Sequence, residues 1–189
     1  MLMNLSHYWV SMETNFKSSL DHILKSEGGF QDDPRDNGNR LPDGRKGCTN
    51  LGVTQAVWEA YVGHKVSTAD MKALTPDTVA PFYKRRYWDT VHGDDLPSGV
   101  DYLAFDFAIN AGAGRSIKTL QTVVGVPADG AIGPKTLTAV KAIDSKELIN
   151  KYTNAKEVFY RALPSFNIYG KGWLARTSAV DATAKTLIG

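Results

Sequence analysis

The chain has one cysteine, Cys48, among 189 residues. An intramolecular disulfide is therefore excluded, and the fold must close on packing alone. No histidine lies near Cys48 in sequence, so it reads as an inert thiol rather than a nucleophile. No apolar run approaches the roughly 18 residues of a membrane span, and no membrane insertion is expected. The first 20 residues lack a basic start, an apolar stretch and a small-residue cleavage site. No signal peptide is expected from them, so work outside the cytoplasm would need another route of release. An excess of charge of one sign is also missing. Lys and Arg number 22 against 20 Asp and Glu, a net charge of +2, which argues against a dedicated nucleic-acid binder. The four histidines, His7, His22, His64 and His92, show no ligand spacing, so no metal site is expected. The stretch DPRDNGNRLPDG is not a calcium loop, because Arg35 and Gly44 stand where oxygen ligands belong. Phosphate-cradling glycine motifs and nucleophile elbows are missing too, and no cofactor is implied.

What is present is ordinary globular material, 42% hydrophobic and 22% charged. Residues 1–14 carry no clear pattern and are expected to form a loose N-terminal extension. From Phe16 the pattern changes: Phe16, Leu20, Ile23 and Leu24 share one helical face, and Gly28-Gly29 stops that helix just after Glu27. Residues 28–53 are rich in Gly and polar side chains and predict loops with a short hairpin at most. A long irregular stretch inside a compact chain is usually functional or disordered. Helical signals dominate afterwards. Thr54 caps a segment to about Val62. Thr75-Pro76 opens a helix bearing Val79, Phe82 and Tyr83. Leu103, Ala104, Phe107 and Ala108 form a buried stripe that ends at Gly112. Asp129-Gly130 is a turn, Gly133-Pro134 opens a helix, and a long helix carries Leu148, Ile149, Tyr152 and Phe159. The segment FNIYGKGW reads as a glycine-punctuated aromatic loop before a last helix from about Trp173. The fold class is mainly α, a helical body with one irregular or weakly β lobe near residues 28–53. The domain reading is an extension (1–14), a catalytic region (15–115) and a helical region (116–189) packed with the catalytic region as one compact unit.

Glu27 is the first candidate for chemistry. Cleaving a glycosidic bond needs a carboxylic acid to protonate the leaving oxygen and usually a second carboxylate for the water or as nucleophile. A Glu closing an amphipathic helix is fixed against the core. The partial negative charge of the helix end favours its protonated form, and the glycines after it let a sugar ring approach the backbone. On that feature alone, a solvated surface Glu is the commoner case. Asp32, Asp33, Asp36 and Asp43 are all candidates for the second carboxylate, against the commoner role of Asp as a turn cap. Asp36 leads them by its spacing from Glu27.

Four separated strings, SEGGF with DPRDNG, TNLGVTQAVW, DYLAFDFAINAGAGRSIKTLQ, and DGAIGPKT with FNIYGKGWLAR, resemble in order the N-acetylmuramidases of glycoside hydrolase family 108. These are phage endolysins and secretion-associated lysozymes with a C-terminal predicted peptidoglycan-binding segment. The likeness runs from about residue 18 to 185. It implies a lysozyme-like α+β fold and a peptidoglycan hydrolase that cuts the β-1,4 bond between N-acetylmuramic acid and N-acetylglucosamine. It also implies Glu27 as the catalytic acid, Asp36 as the residue handling the attacking water, and Thr49 or Asn50 as the third polar position. Gly28 and Gly29 would face substrate. Tyr169 and Trp173 would stack on sugar rings, with Arg176 near them. The loop NGNRLPDGRKGC makes the step from Asp36 to Thr49 longer than the family pattern, which keeps Asp43 as a rival second carboxylate. The expected partner is the peptidoglycan glycan strand, the expected state a monomer, and the expected place of work the periplasmic cell wall, reached from the bacterial cytoplasm by holin-type or other release. Two other readings compete: a lytic transglycosylase, and a non-catalytic wall-binding module.

Overall fold

The computed structural model describes residues 5–188, with side chains from Asn15 onward. It is mainly helical, with one two-stranded antiparallel sheet. The first helix, α1, runs Leu5–Ser26. The backbone is thus helical from Leu5, where the patterning predicted a loose extension to residue 14. Residues 1–4 of that expected extension lie outside the described residues. The remaining elements are β1 (Thr49–Asn50), β2 (Val53–Thr54), α2 (Gln55–Val62), α3 (Thr68–Lys72), α4 (Pro76–Tyr83), α5 (Val100–Ala111), α6 (Ala113–Val123), α7 (Pro134–Lys141), α8 (Ser145–Arg161) and α9 (Phe166–Thr186).

The chain packs as two compact units, residues 17–84 and a second made of the residues up to Phe16 with those from Arg85 on. In the first unit, Leu20 and Ile23 of α1 are buried, as are Trp58, Met71, Val79, Phe82 and Tyr83. Thr54 and Thr75 cap α2 and α4 through their hydroxyls, as their positions before apolar runs predict. α3 has no such apolar signature. It is five residues long and held by a capping box in which Ser67 and Asp70 satisfy each other's backbone N–H. The weakly β lobe is present but minimal. β1 pairs with β2 in the register Thr49↔Thr54 and Asn50↔Val53. Single bridges join Gln31 to Thr49 and Arg40 to Lys46. Leu51 and Gly52 both adopt positive φ, 50° and 74°, as a two-residue type I′ hairpin turn requires.

The second unit is built around α5. Every residue from Val100 to Ala108 is buried, so only the last turn of this helix, at Asn110, reaches solvent, and α6, α8 and α9 cover the rest. α5, which precedes residue 116, falls in the same compact unit as the helices that follow it. Phe16, Trp88 and Phe105 form an aromatic trio in this unit, with ring centroids 5.4–6.0 Å apart.

The aromatic segment FNIYGKGW is helical, not a loop. Gly170 is buried, and a Cβ there would overlap the Phe166 ring. Packing of that ring over the helix backbone outweighs the roughly 1 kcal/mol that a glycine costs in a helix interior.

Candidate active site

Glu27 follows the last residue of α1, and its backbone N–H still donates to Ile23 O (3.0 Å). The side chain is half-buried and lies in a notch made by Gly52. A Cβ on Gly52 would sit 3.0 Å from Glu27 Oε2, 3.1 Å from Glu27 Cγ and 2.7 Å from Tyr83 Oη. Two features force glycine there, the positive φ and the carboxylate pressed against the backbone. Tyr83 fixes the rim by donating from Oη to Leu51 O (2.8 Å). Gly28 and Gly29 are exposed, with open space where a side chain would stand, so backbone and carboxylate are approachable from that side.

Asp36 caps a 3-10 turn (Asn37–Asn39). Its Oδ1 accepts from Gly38 N (2.8 Å), and its Oδ2 accepts from Gln31 Nε2 (2.7 Å). Thr49 Oγ1 donates to Asn39 Oδ1 (2.9 Å), and the Thr49 backbone pairs in both directions with Gln31 (2.8 and 2.9 Å). Asp36 and Thr49 therefore belong to one hydrogen-bonded cluster. The neighbouring candidate differs. Asn50 is buried and its amide donates to Met71 O (2.8 Å), tying the hairpin to the end of α3.

Two of the other candidate carboxylates, Asp43 and Asp33, are ion-paired, while Asp32 is exposed. Asp43 pairs with Arg45 (2.8 Å) and Lys65 (2.9 Å), and these cations hold its carboxyl far below the ordinary carboxylate range. Arg45 continues to Glu59 (2.7 Å), whose pKa falls to about 2 chiefly through that bond. This network fastens the longer loop to α2. Asp33 pairs with Arg35 (2.7 Å), which lowers its pKa.

In the second unit, Tyr169 is exposed and its ring packs on Trp173 (5.8 Å), which stacks on Tyr160 (5.5 Å, 30°). The result is a stepped aromatic surface on α9, not on a loop. Arg176, expected near this surface, is held by an ion pair to Asp106. Its Nε and Nη2 donate to Asp106 Oδ1 (3.0 and 2.8 Å). Asp106 is fully buried and also binds Lys156. Burial pushes the Lys156 ammonium down while the Asp106 charge pulls it up. A buried carboxylate of this kind needs cations around it, and Arg176 serves that need. Trp88 is fully buried and donates from Nε1 to Asp94 (2.8 Å).

Sequence reasoning missed Tyr83, Gln31 and Asn39. Gly52 was visible in the TNLG string, but not its contact with Glu27. Among the described residues no group of three or more His, Cys, Asp or Glu side chains is placed to hold a metal, and no helix is long and apolar enough to cross a membrane.

Residues 20–112 match the Glycosyl hydrolase 108 family and residues 115–178 match a Predicted Peptidoglycan domain. The structure is similar to that of Brucella abortus SagA, at 41% sequence identity and a TM-score of 0.78, over 93% of this chain and 96% of that one. A comparison with curated proteins gives no match. By its two family matches and this structural relative, the chain belongs to glycoside hydrolase family 108 and carries a C-terminal predicted peptidoglycan-binding domain.

Proposed function

We propose that the protein is an N-acetylmuramidase that cuts the β-1,4 bond between N-acetylmuramic acid and N-acetylglucosamine at the bacterial cell wall. The observation that carries this reading is the pairing within one small lobe of a notched acid, Glu27, with an Asp36–Thr49 cluster. Glu27 gives its proton to the glycosidic oxygen as the bond to the anomeric carbon breaks. Asp36 takes a proton from the attacking water, and Thr49 holds that water. Water adds to the anomeric carbon from the opposite face, so the product is inverted. Thr49 takes this part rather than Asn50, whose amide already anchors α3, and Asp36 rather than the ion-paired Asp43. The Tyr169–Trp173 surface presents apolar ring faces to the glycan.

The test is clearing of purified sacculi by wild type and Glu27→Gln, with mass spectrometry of the fragments and NMR of the fresh anomer. Clearing by wild type alone, with hydrated muramic ends and an inverted anomer, is expected. Anhydromuramic ends would make the enzyme a lytic transglycosylase. Binding without clearing would make it a wall-binding module.

A further inference from the structure

The side chains of Gln31 and Asn39 form a directed chain of hydrogen bonds between the two groups assigned to the water. Gln31 Nε2 donates to Asp36 Oδ2 (2.7 Å), and Asn39 Nδ2 donates to Gln31 Oε1 (2.7 Å). Thr49 Oγ1 donates to Asn39 Oδ1 (2.9 Å). An amide can be drawn either way round, so the direction needs an anchor. Here the Asp33 peptide supplies two. Its N–H donates to Gln31 Oε1 (3.0 Å), and its carbonyl accepts from Asn39 Nδ2 (3.0 Å). Turning either amide round would set donor against donor or acceptor against acceptor. Asn39 is 1% exposed, so water cannot replace a broken link cheaply.

We infer that Gln31 and Asn39 are positioning residues that set the hydrogen-bond polarity of Asp36 and Thr49 for the nucleophilic water. The inference rests on the muramidase reading above. Because Thr49 donates its only hydroxyl proton to Asn39, its oxygen meets a water as an acceptor. An ionised Asp36 is also an acceptor. A water between them then gives one hydrogen to each and keeps a lone pair for the anomeric carbon. The longer loop contributes directly, since Asn39 lies within its residues 37–48.

The test compares Gln31→Glu and Gln31→Leu with wild type by kcat, KM and thermal midpoint, each across pH 5 to 8. A protonated Glu at position 31 can donate to Asp36 and accept from Asn39 as the amide does. An ionised one faces Asp36 with like charge, which raises the pH at which it protonates. At pH 8 both variants are expected to lose kcat by about 10- to 100-fold, with KM within about twofold of wild type, as for a misaligned reactant. Toward pH 5 the Gln31→Glu deficit should shrink by on the order of 10-fold, and its gap in thermal midpoint should close, while Gln31→Leu recovers neither. If the gap in thermal midpoint closes without recovery of rate, the chain is only a scaffold and the inference is overturned. Wild-type rates in Gln31→Leu overturn it as well and leave the muramidase reading standing. Wild type that releases no fragments marks the different failure, that of the muramidase reading itself.

Discussion

Gly52 shows how narrowly a single backbone position holds the acid. Its φ of 74° costs an L-residue about 1–2 kcal/mol, and any Cβ would press on Glu27 and Tyr83. Gly52→Ala is expected to lower the stability of the protein by about 1–2 kcal/mol and, on the proposed role of Glu27, its glycan-release rate by on the order of 100-fold, since a displaced carboxyl would no longer meet the leaving oxygen. Denaturant melts beside a rate assay check this, and a wild-type rate would mean that the notch does not position Glu27. The place of Glu27 at a helix end was legible, because a helical face and a glycine stop are local signals. Asp36 was singled out only by its spacing and family likeness. Gln31 and Asn39 were not legible at all, since two amides in a polar loop look like solvated residues until folding sets them face to face. The ion pair of Arg176 was hidden for another reason: its sequence neighbours are aromatic, but Asp106 is 70 positions away.

Among the elements, α5 begins on a buried carboxyl. Asp101 stands in its first turn, where the helix dipole favours a carboxylate, yet it is 2% exposed. Burial is the largest influence and raises its pKa to about 6, against bonds from Tyr102 N (2.7 Å) and Asn15 Nδ2 (3.0 Å) that favour the ion. The folded state therefore holds this proton more tightly than the unfolded chain, whose value is near 3.8. Between those two values the folded state binds more protons, so stability falls as pH rises from about 4 to about 6. The amplitude is on the order of 2–3 kcal/mol. Urea melts at half-unit pH steps should show that decline in wild type and a flatter curve in Asp101→Asn. Unchanged slopes in the variant would assign the titration to another group. The helices that sequence located best, α2 and α4, combine a hydroxyl cap with an apolar face. α9 was misread because its glycines count against a helix locally, and the Phe166 ring that explains Gly170 is visible only in the fold.

For the whole molecule, the family matches and the packing divide the chain differently. The matches part between residues 112 and 115, close to the break that composition suggested, but α5 lies before that point and is covered by helices after it. A chain ended after residue 113 would strip the rings of Tyr152, Phe159 and Tyr160 from Phe107, which is fully buried. An apolar surface of that kind drives association. The truncated protein is expected to be insoluble or to elute as aggregates on size exclusion. A soluble monomer with native helix content would show that α5 finds another cover. Sequence could not reveal this, because a helix buried on all sides carries no amphipathic mark of which neighbours enclose it. For anyone recombining enzymes of this kind, the seam between the two named segments is the wrong place to cut. A wall-binding half exchanged there would arrive without the helix around which it is wound, so a chimera should carry α5 with the helices that enclose it.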